Sequence, residues 1–584
     1  MEPTAANWQI VNQRVMARTL AECAWEGLLN PVSEGGTGQG TDRFRLDTGA
    51  HIFQFEARRT PWDYLWVYPE SIRRNGYPFH DAIQLVLDCR DAFAMSDITL
   101  GNFIEELNNT LAGDLLRQHE MAGMDAAQLL DLPAIRLEGL LDGHPKVLAN
   151  RGRLGWGQKD LHRYSPEAGQ SIHLRWLAAH RATGIRAFGT PAPEQCLTGE
   201  ECRQLAPYRE SPDWQLLPVH PWQWQQFIQS QYAPLLQAGT LVDLGELGEA
   251  YLLQQSIRTL TNAEKPERCD LKLALTILNT SCYRGIPPEP MAWAPELSRW
   301  LSDLTRQDPL LSERGLSVQQ ELGGLNLPHP HQQQVRGTPY RYREMLGAVW
   351  RESLASKLQE GEQGWILAVL MQCDNAGTPL VAEIIRRSGW PVERWLMQFF
   401  ERVTLPLYHL LCRYGVGLVA HGQNLGVIFR HYRPDRVVIK DFHGDLRVED
   451  GGEPVRAGLP KALANQLPRL PATHLLHDLY TGHLVTCLRF VSPLLEDHLG
   501  LPETRFYQLL YACLHRYQQK HPELSPAFAH FDLLRPAMER VCLNRVRFRI
   551  GYGDEAARPT PALGPELANP LSPLNHTILE PTHE

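Results

Sequence analysis

A histidine, a glutamine and an asparagine crowd one glycine in HGQN, residues 421–424, and two aspartates bracket FHG in DFHGD, residues 441–445. Between them lie two short apolar runs, 427–429 and 437–439, joined by a polar turn that contains Pro434. The pattern predicts a strand hairpin with polar residues at both feet, an arrangement able to hold a nucleoside triphosphate and its metal. Asn424 and Asp441 could be the metal ligands. In kinase-like transfer, an aspartate just after the histidine takes the proton of the substrate hydroxyl. Gln423 stands there instead, and an amide is no proton acceptor at neutral pH. A carboxylate nucleophile, ionised above its pKa of about 4, needs no such base. The hairpin therefore suits ATP activation of a carboxylic acid better than phosphorylation of an alcohol. Gly-Lys does not occur, so there is no P-loop lysine, and GxSxG and HExxH are also absent.

Two further clusters carry charge. In DLKLALTILNTS, alternation puts Leu271, Leu273, Leu275 and Ile277 on one strand face and Lys272, Ala274, Thr276 and Thr280 on the other. Ser256 and Arg258 of QQSIRTL share a face in the same way. If the two strands pair, Ser256, Arg258 and Lys272 line a cationic floor suited to a polyphosphate or a carboxylate-rich substrate. The alternative is an exposed sheet face with solvated charges. A straight strand from Lys272 to Arg284 would span roughly 40 Å. Both reach one small-molecule site only if the chain bends, or turns helical after a cap at Thr280. GHPKVLANRGRLGWG, residues 143–157, sets His144, Lys146, Arg151 and Arg153 among glycines, which suits either a phosphate or a basic surface turn.

The elements that must position these residues are mixed. Helical periodicity covers 12–29, 81–97, 100–119 and 125–141, and later 390–414, 474–499 and 502–521. SEGGTGQGTD lacks GxGxxG spacing and reads as a flexible loop before the hairpin RFRLDTGAHIFQFEARR. YLLQQSIRTLTN and DLKLALTILNTSCYRG read as strands joined by the turn AEKPERC. Pro287, Pro288, Pro290 and Pro295 are expected to end regular structure. PVHPWQWQQ, 218–226, reads as packing rather than contact. Boundaries are expected near 165–211 and at GGLNLPHPHQQQVRGTP, a boundary or mobile flap whose His329 and His331 are bystanders. The proline-rich tail from Gly551 is expected to run over the surface.

At 584 residues the chain predicts two to four domains. A net charge of −9 gives no reason to expect nucleic acid or an anionic membrane as partner. No apolar run approaches the ~20 residues of a membrane span, and the N-terminus does not read as a signal peptide. Eleven scattered cysteines without a CxxC pair read as reduced thiols of a cytoplasmic protein.

Taken in order, these clusters resemble the IucA/IucC family of NRPS-independent siderophore synthetases, most closely its IucC branch, over nearly the whole chain. GHPK…GRLGWG, PVHPWQWQQ, QQSIRTLTNA, LPLYHLLCRYGV, AHGQN, KDFHGD and HDLYTGHLVTCLRF carry the likeness. The resemblance implies an α+β, multidomain fold. Its parts would be a thumb (1–165), fingers with antiparallel nucleotide-binding strands (166–345) and a mostly helical palm with the strand hairpin (346–584). It implies ATP and magnesium as cofactors and a cytoplasmic homodimer. The reaction implied is adenylation of a citryl monoamide, with release of pyrophosphate and condensation with N6-acetyl-N6-hydroxylysine or a related hydroxylated amine. A phosphotransferase and a non-catalytic citrate- or siderophore-binding protein are the alternatives.

By motif, Ser256, Arg258, Thr259, Lys272, Gln423, Asn424, Asp441, Arg151 and Arg153 fall at ATP. Arg284, His421 and Thr280 fall at the citryl substrate, with His421, Arg284 and Lys272 catalytic and Asp441 and Asn424 at the metal. Two departures, Val147-Leu148 for a second His-Pro pair and Val419 for a glutamate, suggest a citrate end with one arm already amidated.

Overall fold

The computed structural model describes residues 4–38, 40–280, 282–450, 458–552 and 562–573. Helix α1 (Ala5–Trp25) begins earlier than its apolar periodicity predicts, because the Thr4 hydroxyl caps it by accepting from the Asn7 amide. Strands β1 (Val32–Gly38), β2 (Thr41–Asp47) and β3 (Ile52–Arg59) form an antiparallel meander. The expected glycine-rich loop is thus largely a bulged edge strand, while the β2–β3 hairpin stands where alternation put it. Residues 100–119 lie in one helix, α2 (Asp97–Glu120). The segments 81–97 and 125–141 each break in two, the first at Cys89 and the second at Pro133, which precedes α3 (Ala134–Leu140).

The middle of the chain contributes β4 (Ile172–His180), β5 (Arg186–Gly189), β6 (Trp214–Val219), β7 (Leu241–Leu253), β8 (Thr259–Asn262) and β9 (Asp270–Leu273). After β9 come the hairpin β10 (Leu275–Asn279) and β11 (Cys282–Arg284), helix α4 (Pro288–Gln307), β12 (Ser317–Val318), β13 (Glu321–Asn326) and β14 (Gly347–Arg351). Eight of these strands form one antiparallel sheet in the order β5-β13-β14-β9-β8-β7-β4-β6. Of the prolines expected to end regular structure, Pro287, Pro288 and Pro290 instead open α4, and Pro295 lies inside it. Pro287 is its N-cap and Pro288 its first residue, where the missing N–H has no intrahelical partner to lose. Residues 323–326 of the expected loop belong to β13.

The last third carries β15 (Glu362–Ile366), α5 (Val392–Phe399), α6 (Leu405–Tyr414), β16 (Leu425–Arg430) and β17 (Arg433–Ile439). It continues with α7 (Ala472–Leu479), α8 (Arg489–Leu499), α9 (Glu503–Lys520), β18 (Ala537–Cys542) and β19 (Ala562–Ala568). π-Helical turns at Phe400–Thr404 and Tyr480–Leu488 join α5 to α6 and α7 to α8, so the long helical segments expected there are present. The predicted hairpin is β16–β17, inside a sheet ordered β12-β17-β16-β15. The tail departs from expectation: β19 pairs with β18, and Leu567 and Leu571 are buried. Its residues 553–561 and 574–584 lie outside the described ones. One apolar core unites the C-terminal helices with Trp25 and Trp62, a second lines the eight-stranded sheet, and a third fills α1–β3 with Phe548 added. Among the described residues no helix is long and apolar enough to cross a membrane, and all eleven cysteines are free.

PVHPWQWQQ is packing. Trp222, Trp224 and Gln223 are buried, and the Gln223 amide donates to Thr276 Oγ1 (2.7 Å) and to the Met345 carbonyl. His220 Nδ1 accepts from the Trp222 amide, and burial pushes its pKa down to about 3. The unfolded chain takes up a proton near pH 6.5 that the folded chain refuses, so this contribution to stability is present above pH 6.5 and is lost as pH falls toward 3. His220→Asn keeps an amide-accepting cap and removes the titration. Its plot of unfolding free energy against pH, from urea melts, is expected to be flatter than the parent's between pH 6.5 and 4.

Candidate functional site

Asp441 is the meeting point. Strand β17 ends at Ile439, and Asp441 takes a left-handed conformation (φ 64°) with its carboxylate at the face of the eight-stranded sheet. Lys272 Nζ lies 2.5 Å from Oδ1, and Arg351 Nη1 lies 3.3 Å from Oδ2. Register explains the convergence. Thr259 of β8 pairs with Lys272 of β9, and Arg351 of β14 stands between Asp270 of β9 and Glu321 of β13. Asp270 Oδ1 accepts from Thr261 (2.7 Å), and its Oδ2 accepts from Gln254 (2.8 Å) and lies 3.5 Å from Arg351. Burial lowers the Lys272 pKa against the pull of Asp441, and burial raises that of Asp270 against Arg351. Lys440, buried beside Asp441, is also lowered by burial, with Glu138 of α3 opposing.

The predicted cationic floor is present, but not all of it is strand. Lys272 and Thr259 are strand residues, whereas Ser256 and Arg258 occupy a turn that closes at Ile257 (φ 59°). Ser256 Oγ accepts from the Thr259 amide at 3.2 Å, and Arg258 donates to the Gly285 carbonyl. The distance between Lys272 and Arg284 is resolved by a reversal rather than by a helix at Thr280. The chain leaves the large sheet at Ala274, turns at Thr280 (φ 64°) and returns so that Arg284 pairs with Leu275. Arg284 donates to the Asn279 carbonyl (2.8 Å) and to Thr280 Oγ1; its Nε is buried without a hydrogen bond, and it has no acidic partner among the described residues.

At the other foot of the hairpin, His421 Nδ1 accepts from the Gln423 amide at 3.2 Å, which leaves Nε2–H as the donor of the neutral ring. Burial lowers the His421 pKa, and Asp445 and Asp441 only partly offset it. Asn424 donates to the Val419 carbonyl (3.1 Å) and to Asp445 Oδ2 (2.9 Å), so its amide faces Asp445 rather than Asp441. Gly482 permits this loop to pack against α7–α8: a Cβ there would lie 3.0 Å from the Ala420 nitrogen.

Arg151 and Arg153, expected at a phosphate, are buried in internal ion pairs. Arg151 binds Asp114 (2.6 Å) and the Leu141 carbonyl, and Arg153 grips Glu167 with both terminal nitrogens (2.6 and 2.9 Å). Their loop reaches the site through backbone, since Leu154 bridges Leu278 and the Arg153 amide donates to Asn279 Oδ1. His329 Nδ1 accepts two backbone amides of its own loop, and no group of three or more metal-ligating side chains occurs among the described residues. Sequence reading passed over Arg351, Asp270 and Lys440, and noted Asp445 without giving it a role. An arginine ending the apolar run GAVW was the one available signal for Arg351.

Comparison with known proteins agrees in extent with this geometry. Residues 133–372 match the sequence profile of the IucA / IucC family, and residues 393–555 match one described as ferric iron reductase FhuF-like transporter. The chain is 41% identical to aerobactin synthase of Escherichia coli, covering 97% of this chain and 98% of that one. It is 36% identical to the rhizobactin siderophore biosynthesis protein RhbF of Rhizobium meliloti, covering 97% and 96%. The structure of aerobactin synthetase IucC from Klebsiella pneumoniae superposes with a TM-score of 0.85 at 38% identity, covering 97% of this chain and 98% of that one.

Arg351→Met would leave Asp270 buried without the Arg351 guanidinium and remove one of the cations at Asp441. Breaking a buried charge network by removing one partner costs about 3–5 kcal/mol, so the urea midpoint is expected to fall accordingly. An unchanged midpoint would mean that Arg351 holds nothing together.

Proposed function

The chain belongs to the IucA/IucC family, and on that premise we propose that it is an ATP-dependent, AMP-forming ligase of siderophore biosynthesis. It adenylates a carboxylate of a citryl monoamide and joins the acyl group to N6-acetyl-N6-hydroxylysine or a related hydroxylated amine. The observation that carries the reading is Arg284, a guanidinium without an acidic partner among the described residues, set close to the Lys272 cluster. Lys272 and Leu275 are separated by roughly 10 Å of extended chain, and Leu275 faces Arg284. A carboxylate-seeking cation beside a polyphosphate-seeking cluster fits acid activation.

In this reading ATP lies between the eight-stranded sheet and the β16–β17 hairpin. Ser256, whose oxygen already accepts from Thr259, has its proton to give a phosphate, and Arg258 and Lys272 supply charge. Arg284 and Thr280 hold the citryl carboxylates. A substrate carboxylate oxygen attacks the α-phosphorus, the α–β P–O bond breaks, and pyrophosphate leaves. The His421 Nε2–H, fixed by the Gln423 amide, stabilises charge at the reacting phosphate. The amine then attacks the acyl carbon, and AMP departs with loss of a proton. Magnesium fits the oxygen donors at the hairpin feet, Asp441 and Asn424 with Asp445 beside it, since this ion takes one or two carboxylates together with phosphates. When bound it neutralises the pyrophosphate. Lys272 then has a phosphate oxygen as counter-anion in place of Asp441. Arg151 and Arg153 support β10 from behind. The division at 1–165, 166–345 and 346–584 and the homodimer belong to the same proposal.

Incubation with ATP, magnesium, hydroxylated amine and either citrate or a citryl monohydroxamate tests it. AMP and pyrophosphate are expected, with the monoamide preferred; ADP with a phosphorylated product would overturn the reading. Arg284→Ala is expected to raise the activation barrier by about 2–5 kcal/mol, the size of a lost buried charged contact, while ATP still binds. Near-normal turnover in that variant would remove Arg284 from the site.

A further inference from the structure

His144, in the 143–157 loop, does not contact nucleotide or citrate in the reading above, yet its ring meets that of His421. The centroids are 5.9 Å apart and the planes cross at 73°, an edge-to-face contact between the two loops. Among the described residues the His421 ring has one hydrogen bond, from the Gln423 amide to Nδ1. One hydrogen bond leaves a ring free to tilt about it, and a second contact on the face or edge removes that freedom.

The loop that carries His144 is itself clamped. Asn150 donates to the His144 carbonyl, and Gly143 passes so close that a Cβ there would lie 2.7 Å from Asn150 Cγ. Two residues on, the fully buried Lys146 ammonium lies 3.3 Å from Glu22 of α1 and 3.8 Å above the Trp25 ring. Glu22 is also bound by Arg489 of α8 at 2.6 Å. Asn544 donates to the Lys146 carbonyl at 2.8 Å. His144 Nδ1 is buried without a hydrogen bond, so that nitrogen ties the ring to nothing and the ring is held by packing. Burial, with His421, Lys146 and Arg489 adding to it, keeps His144 neutral, its pKa pushed down to about 3. Two uncharged imidazoles can pack where two imidazolium ions would repel.

We propose that His144 is a positioning residue for His421: its ring fixes the tilt of the His421 imidazole and so the direction of the Nε2–H donor. The inference rests on the proposed acyl-adenylation, and the experiment separates the two. Citryl-dependent exchange of labelled pyrophosphate into ATP is measured first in the unaltered protein; if none occurs, the adenylation reading has failed independently of His144. With exchange established, His144→Ala is expected to lower kcat by about tenfold, the size of one aromatic contact, with the KM for ATP within about twofold. His144→Phe restores the packing without nitrogens and is expected to recover kcat to within about threefold. If the Ala variant does not fold, the Phe variant alone decides. A Phe variant that melts like the parent but loses as much kcat as expected for Ala would overturn the proposal, because His144 would then act through its nitrogens. Unchanged kcat in a folded Ala variant would overturn it equally.

Discussion

Two cations on the polar face of one sheet, Lys272 and Arg351, share a single carboxylate that arrives from another sheet. Both are buried, and an ammonium or guanidinium taken out of water costs several kcal/mol unless paired and hydrogen-bonded. Within its own sheet Arg351 has Asp270 and Glu321 on the neighbouring strands. The balance comes from Asp441, at the foot of the β16–β17 hairpin. That requirement ties the eight-stranded sheet to the hairpin.

The same region concentrates backbone strain. Arg153, Ile257, Thr280 and Asp441 all have positive φ without being glycine, and two of them are β-branched. Each such residue costs on the order of 1–3 kcal/mol and persists only where its surroundings over-determine it. Here they do. Thr280 lies against Arg284, Ile257 sits between the Ser256–Thr259 hydrogen bond and the Arg258 anchor, and Asp441 is held by two cations. Three of these turns, at Ile257, Thr280 and Asp441, adjoin Arg258, Arg284 and Lys272.

How much was legible depended on whether the governing partner was local. Alternation along DLKLALTILN gave the polar face of Lys272 correctly as far as Leu273, and turn residues in AEKPERC gave the β8–β9 pairing. The hairpin under HGQN and DFHGD was readable because its apolar runs and its turn are adjacent. The break at Ala274 was not, since nothing in ALT announces a strand changing sheets. Ser256 and Arg258 looked like strand because Ile257, a β-former, sits at the tightest point of a turn. Arg151 and Arg153 looked like phosphate ligands because their carboxylates are remote in sequence or outside the motif: Asp114 lies on α2 and Glu167 beyond the loop. The prolines before α4 misled for a different reason. Proline in a first turn starts a helix well because no intrahelical bond needs its missing N–H, and Pro295 sits inside α4 without ending it.

The chain as a whole carries −9, yet the cleft gathers Arg258, Lys272, Arg284, Arg351 and Lys440. At physiological salt, charges separated by more than about 8 Å are largely screened, so the acidic surface contributes little inside. Asp270, Asp441 and Glu138 oppose those five cations, and burial raises the pKa values of Asp270 and Glu138, so positive charge is in excess. The cluster is therefore cationic without ligand, and Arg284 is the cation that has no acidic partner among the described residues. On the proposed reading, Asp441 turning to another partner would add to that excess. Lys272 and Arg351 would then be buried with one counter-charge fewer, and a polyanion would replace what they lost. Part of the attraction for an anion would thus come from rearranging a pair that the fold already requires.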